Sequence, residues 1–256
     1  MLHGVLERTA FEERELLIYM PPSYRAGEKR YPIVYVQDGG DLFAPANGAA
    51  LEELERMFEA GTLRELLLVG VSSPNRLDEY SPWPAQTLTG RFEDFGGKGA
   101  DYLEFLSVRL KPYIDDRYRT ERDARWTAIA GKSMGGLISI FSAYSGLGMF
   151  GRIGAISPSM WFDGFVTFMR EHPAAGVGLD IYLDVGSDEG VGKPTAQSQM
   201  VPRVKEAYAL LQKFVEGSDG AADARVKFVL EEGGLHLLPN FIRRFPPMLQ
   251  WLFAGD

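Results

Sequence analysis

Ser133 sits in Gly131-Lys132-Ser133-Met134-Gly135, a Gly-x-Ser-x-Gly pentapeptide. A β-prone run, Arg125 to Ala130, leads into it, and helically spaced apolar residues follow at Leu137, Ile138, Ile140, Phe141 and Tyr144. This is the sequence form of a nucleophile elbow, where a strand turns sharply into a helix and lifts one serine to the tip. The chemistry explains the glycines. Ser133 must adopt a strained backbone conformation, and bulky residues at 131 and 135 would collide with the strand and helix around it. The following helix points its free N–H groups and positive end to where an acyl oxyanion would form.

A serine nucleophile needs a base, and the base needs an orienting acid. The chain has three histidines. His3 lies near the N-terminus, where fraying is common. His172 precedes Pro173 at the end of a short helical piece, a capping or solvent-facing position. His236 follows the last strand and two glycines, and elbow-bearing folds run in the order serine, acid, histidine. His236 is therefore the expected base. The acid belongs on a strand-end loop between the two, and Gly186-Ser187-Asp188-Glu189 carries carboxylates directly after a clear strand. Glu189, three residues past Gly186, is preferred, with Asp188 as the alternative; Asp184 lies inside the strand. Two N–H donors are needed for the oxyanion. Met134 supplies one, and Gly40, in the glycine-rich loop after residues 31–37, is named for the second, with Asp41 or Leu42 as alternatives.

These groups require elements to hold them. Strands are expected over residues 13–20, 31–37, 66–71, 152–156, 179–185 and 226–230, besides the elbow strand. Helices are expected over 49–60, 101–114, 165–169 and 201–215, and from Phe241 to Leu252. After the first strand, strands and helices alternate, which predicts an α/β fold with a mostly parallel central sheet and helices on both faces. All 256 residues are read as a single domain. The polar loops holding Ser133, Asp38–Asp41, Gly186–Gly190 and His236 all fall at the C-terminal ends of strands, where ligands bind in such sheets.

Hydrophobic residues make up 45% of the chain and charged ones 24%, as in ordinary globular proteins. A net charge of −8 argues against a nucleic-acid surface. Cysteine is absent, so no thiolate nucleophile, disulfide or Cys-based metal site is available. Residues 1–8 lack a basic segment followed by an apolar one, and no apolar run approaches the ~20 residues of a membrane span. A cytoplasmic location is the expectation.

In this order the motifs are specific. They comprise Tyr35-Val36-Gln37-Asp38-Gly39-Gly40-Asp41-Leu42-Phe43, Arg76 with Glu79-Tyr80, and Phe105-Leu106 through Lys111-Pro112-Tyr113-Ile114 to Arg117-Tyr118. The elbow, Ser157-Pro158-Ser159-Met160-Trp161, Gly186 to Glu189, and Gly233-Gly234-Leu235-His236 complete the set. With these the chain resembles, nearly end to end, the putative-esterase family of α/β hydrolases, which includes enterobactin and bacillibactin esterases, feruloyl esterases, S-formylglutathione hydrolases and mycolyltransferases. The resemblance implies an α/β-hydrolase fold and a Ser–acid–His esterase, with the roles falling on Ser133, Glu189 and His236. The Asp-Gly loop is more similar to the siderophore-esterase branch. Lys132 stands where the family usually has His or Gln.

The expected activity is cofactor-free, metal-free hydrolysis of a small-molecule ester through an acyl-enzyme. The ester would be of siderophore type, an acetylated or feruloylated sugar, or a short-chain ester. Acyl transfer by the same residues and a non-catalytic binding protein are the alternatives. No nucleic-acid or membrane partner is expected, and homo-oligomerisation is left open. The resemblance suggests that Trp161 lines the pocket, against an equal expectation of a core aromatic. Asp41 and Arg76 are further substrate-binding candidates. Arg76 and Arg91 lie in the long irregular segment 72–99 and are expected to be solvated, unless they meet a carboxylate or catecholate. Tyr80, Trp83 and Phe92 in that segment are candidates for an apolar lid.

Overall fold

In the computed structural model, residues 2–90, 93–174, 178–217 and 224–255 are described. The chain opens with β1 (Val5–Phe11) and β2 (Arg14–Met20), then β3 (Ile33–Val36), α1 (Ala50–Glu59) and β4 (Leu67–Val71). The irregular segment holds α2 (Arg76–Glu79) and a two-stranded ladder, β5 (Pro84–Ala85) with β6 (Phe95–Gly96). Helix α3 (Gly99–Glu104) runs through a π-helical stretch, Phe105–Leu110, into α4 (Lys111–Arg117). Pro112, which has no N–H to donate, sits in the first turn after that stretch. The remainder alternates: β7 (Thr127–Lys132), α5 (Met134–Phe141), β8 (Arg152–Ile156), α6 (Phe165–Glu171), β9 (Asp180–Gly186), α7 (Met200–Gly217), β10 (Arg225–Glu231) and α8 (Leu238–Leu252).

Eight strands form one sheet in the order β1-β2-β4-β3-β7-β8-β9-β10. From β4 to β10 neighbours are parallel, while β2 runs antiparallel to both β1 and β4. The period-2 alternation of the strands divides the core between two faces. Ile33, Tyr35 and Ile129 point to the side covered by α3 to α7, with Leu103, Leu106, Leu137, Ile138, Phe165 and Val204. Val34, Val36, Ala128 and Ala130 point to the side covered by α1 and α8, with Leu51, Leu54, Phe245, Leu249 and Leu252. Each such side chain fully withdrawn from water contributes about 1.5–3 kcal/mol for a Val, Leu, Ile or Phe. The fold class is the expected one.

β1 is a correction. Its sequence, Val-Leu-Glu-Arg-Thr-Ala-Phe, is only half buried because it is an edge strand, so no clean apolar period marks it. The turn to β2 is equally unmarked: Glu12 and Glu13 connect Phe11 to Arg14, and Glu12 takes a φ of 55° without a glycine or asparagine.

Candidate active site

Ser133 is the residue between β7 and α5, with φ 55° and ψ −121°. Three backbone bonds hold it there. Its N–H donates to Ile156 O at 3.0 Å, and its carbonyl accepts from Leu137 N and Ser159 N, both at 3.0 Å. The neighbouring glycines are required by contact. A Cβ at Gly131 would meet the Gly135 carbonyl carbon and oxygen at 2.6 Å, and one at Gly136 would meet Pro158 Cα at 3.0 Å. The expected elbow geometry is present.

Ser133 Oγ lies 3.1 Å from His236 Nε2, and His236 Nδ1 lies 2.8 Å from Glu189 Oε2. The structure thus brings together Ser133, His236 and Glu189 in one hydrogen-bonded line. Asp188 is excluded from it: its side chain is exposed and accepts from Ser187 Oγ at 3.0 Å. His3 is exposed, with its backbone N–H on Glu55, and His172 caps α6 with Nδ1 3.0 Å from Phe168 O.

The loops after β9 and β10 are tied to each other, which fixes acid against base. Ser187 N donates to Glu231 O at 2.9 Å, Asp188 N to Gly234 O at 3.1 Å, and Gly233 N to Ser187 Oγ at 2.8 Å. The two backbones approach so closely that a Cβ at Gly186 would meet Gly234 O at 2.3 Å. Phe241, from the first turns of α8, packs edge-on to the His236 ring with centroids 4.8 Å apart.

Glu189 is 3% exposed. Its Oε1 accepts from Ser157 Oγ at 2.5 Å, Gly186 N at 2.9 Å and Arg244 Nη2 at 3.0 Å. Burial disfavours its charge, but the hydrogen bonds from His236, Ser157 and Gly186 outweigh it and hold the carboxyl below its usual range. Arg244 and Ser157 had no separate role in the sequence. Arg244 also reaches Asp184 Oδ1 at 2.7 Å and Ser157 Oγ at 2.9 Å, and its Nε lies 3.1 Å from Glu231 Oε2. Asp184 is fully buried, which pushes its carboxyl up to about 7 against the pull of Arg244. No motif marks Arg244. One signal was available, a cation among the apolar residues of an otherwise core-facing helix.

A second polar cluster lies on the other side of the nucleophile. Arg76 grips Asp38 through Nε at 2.9 Å and Nη2 at 3.3 Å. Lys132 Nζ reaches Asp38 Oδ2 at 3.2 Å and Asp41 Oδ2 at 2.9 Å. Burial opposes the charge of Asp38, but Arg76 and Lys132 keep its carboxyl below the usual range; Asp41, with burial dominant, is raised. Arg76 is thus ion-paired and not simply solvated. Arg91 and Phe92 lie outside the described residues.

Two expectations require correction. Gly40 N–H is not free: positive φ at Asp38, Gly39 and Gly40 winds the loop into a tight turn, in which Gly40 N donates to Gln37 O at 3.2 Å. Asp41 N is likewise directed at Asp38 O, at 3.4 Å. Met134 N–H opens α5, where the helix offers no acceptor. Nor do Tyr80 and Trp83 form a lid. Tyr80 is fully buried, its hydroxyl accepting from Asp38 N at 3.0 Å, and Trp83 packs among Phe162, Phe165 and Phe168.

Beside His236 is a cavity of about 90 Å³ lined by Trp161, Gly190, Lys193, Gln197 and Met200. Trp161 is half-buried there, so it is a lining residue more than a core one. A larger hollow of about 700 Å³ lies elsewhere, against β2, α2 and α3. Its cations are paired (Arg14 with Glu79, Lys98 with Asp78, Arg109 with Glu12), and none of Ser133, Glu189 and His236 lines it. Among the described residues no group of His, Asp and Glu is arranged to hold a metal ion, and no helix is long and apolar enough to cross a membrane.

A family model described as "Putative esterase" matches residues 9–252. The chain is 33% identical over 255 residues to the uncharacterized protein YbbA of Bacillus subtilis (strain 168), covering 100% of this chain and 98% of that one. Among solved structures it is similar to an IroE-like serine hydrolase from Shewanella oneidensis, with a TM-score of 0.80 and 19% identity over 96% of this chain and 79% of the other. It is also similar to the enterobactin esterase FES from Shigella flexneri, with a TM-score of 0.72 and 17% identity over 97% of this chain and 58% of that one.

Proposed function

The chain belongs to the putative-esterase family, and from that premise we propose that it is a serine esterase that cleaves a small carboxylic ester through an acyl-enzyme. The observation that carries this reading is the unbroken line Ser133 Oγ, His236 Nε2, His236 Nδ1, Glu189 Oε2, at 3.1 and 2.8 Å. Ser133 Oγ attacks the ester carbonyl carbon while its proton passes to His236 Nε2. Glu189 holds Nδ1–H and stabilises the imidazolium that forms. The oxyanion takes the Met134 N–H, the free donor that opens α5. Collapse expels the alcohol with the proton from His236. Water, deprotonated by His236, then releases the acid and restores Ser133.

The cavity beside His236 suits a small acyl or alcohol group stacked on Trp161. Asp41 and Arg76, on the opposite side of Ser133, would meet the rest of the ester. A siderophore-type ester is favoured by the structural similarity to the enterobactin esterase from Shigella flexneri and the siderophore hydrolase EstB from Aspergillus nidulans. Feruloylated or acetylated sugars and short-chain esters use the same chemistry.

Reaction with a fluorophosphonate, followed by mass mapping, tests the mechanism. Label is expected on Ser133 and absent from His236→Ala, and Ser133→Ala should lower ester hydrolysis by about 10⁴–10⁶-fold with an unchanged circular dichroism spectrum. Wild-type rates in Ser133→Ala would refute it.

A further inference from the structure

The proposed relay accounts for Ser133, His236 and Glu189 but leaves a buried cation behind them unexplained. Arg244 is 4% exposed on α8, and its guanidinium touches groups from three other segments. These are Asp184 on β9, Glu189 on the loop after β9, and Glu231 at the end of β10. Its Nη1 also donates to Ser157 Oγ, and Ser157 Oγ–H donates in turn to Glu189 Oε1. The other charged and titratable groups around this cluster are His236, across Glu189; Tyr182 on β9; and Arg243, which pairs with Glu231 Oε1 from the solvent side.

A buried arginine is a weak source of stability, because desolvation offsets much of the attraction to its partners. Its arrangement fits a different purpose. Glu189 presents one oxygen to His236 and the other to Arg244, so the carboxylate plane is held from both ends. Phe241 lies between the two elements, its ring against His236 on one side and 5.5 Å from the Arg244 guanidinium carbon. Asp184 Oδ1 accepts from both Arg244 and Ser157 N, fixing the arginine and the turn at Ser157 (φ 45°) to the same strand end.

We infer that Arg244 is a positioning residue of the esterase proposed above: it aims Glu189 at His236 and offsets part of the carboxylate's charge beside the imidazole. Removing the cation leaves an excess of negative charge behind the proposed base, and the acid limb of activity is expected to move upward. Guanidinium planarity matters as well as charge, since one flat group must reach Glu189, Asp184 and Glu231 at once.

The test is the rate of fluorophosphonate labelling of Ser133 against pH in the full chain, which needs no knowledge of the natural ester. Absence of label in the wild type would overturn the esterase reading itself, whereas the inference about Arg244 is read from the difference between labelled variants. Arg244→Met is expected to label roughly 10–100-fold more slowly, with its acid limb moved up by about one pH unit. Arg244→Lys should return the limb to the wild-type position while recovering only part of the rate. Should Arg244→Met fail to fold, Arg244→Met with Asp184→Asn removes the stranded charge, and it is still expected to label slowly because Glu189 Oε1 loses the charged one of its three donors. Wild-type rate and an unmoved limb in folded Arg244→Met, or a wild-type rate in the double variant, would overturn the inference.

Discussion

Two ion clusters flank Ser133, and they are built differently. Behind His236, Arg244 serves Asp184, Glu189 and Glu231 in a nearly dry interior, with side-chain exposures of 5%, 0%, 0% and 20%. On the other side, Lys132 and Arg76 serve Asp38 and Asp41, and Arg76 is 40% exposed. In the first cluster carboxylates outnumber the buried cation, and one of them, Asp184, is driven toward its neutral form. In the second, two cations meet two carboxylates, and solvent screens the outer pair. A dry, over-subscribed cluster holds geometry; a balanced, wetter one can exchange partners when a ligand arrives. The distinction separates the groups that hold the proposed base from those proposed to meet the ester.

The sharpest way to break this contrast is at Glu189. Glu189→Gln should lower turnover by about 10³–10⁴-fold, while Asp188→Asn, an exposed change one residue away, should stay within about twofold; comparable kcat losses in both would dissolve the distinction. A smaller effect is expected in stability. Asp184, raised to about 7 in the folded chain, keeps its proton there while the unfolded chain has already lost it. The native state therefore loses stability from this group as pH rises from about 4 to about 7, no more steeply than about 1.4 kcal/mol per pH unit. The stability gap between wild type and Asp184→Asn should accordingly narrow over that interval in urea titrations. The smallest effect belongs to the outer cluster. Arg76→Gln leaves Asp38 its Lys132 partner, so thermal stability should change by about 1 kcal/mol or less, and the change should shrink as salt is added.

The elbow and the proposed base were legible because each carries a local signature: glycines where backbones touch, and a histidine after a strand-end turn. Glu189 could be narrowed only to a pair, since adjacent residues share a loop and differ in which way they face; the ties from Ser187 and Asp188 to the neighbouring loop decide that. Arg244 was hidden because its meaning is tertiary. It is a helix residue whose partners lie on β9, on the loops after β8 and β9, and on β10, as many as 87 positions distant. β1 was hidden for the opposite reason, as an edge strand satisfies its pairing on one side and needs no apolar period. At Gly40 the glycines were visible, but not the direction of a single N–H, which three successive positive φ values determine. Tyr80 and Trp83 show that an aromatic in a long segment is no more a lid than a core residue until its neighbours are known.

The loop carrying His236 hangs from β10, an edge strand that among the described residues pairs with β9 alone, whereas Ser133 rises from the middle of the sheet. The two halves of the proposed reaction centre therefore belong to regions of unequal cohesion. Edge strands open more readily than central ones, so peeling of the rim would carry the proton acceptor away while the serine stays seated on an intact scaffold. On the proposed mechanism, such a chain would fall silent and recover without passing through its unfolded state.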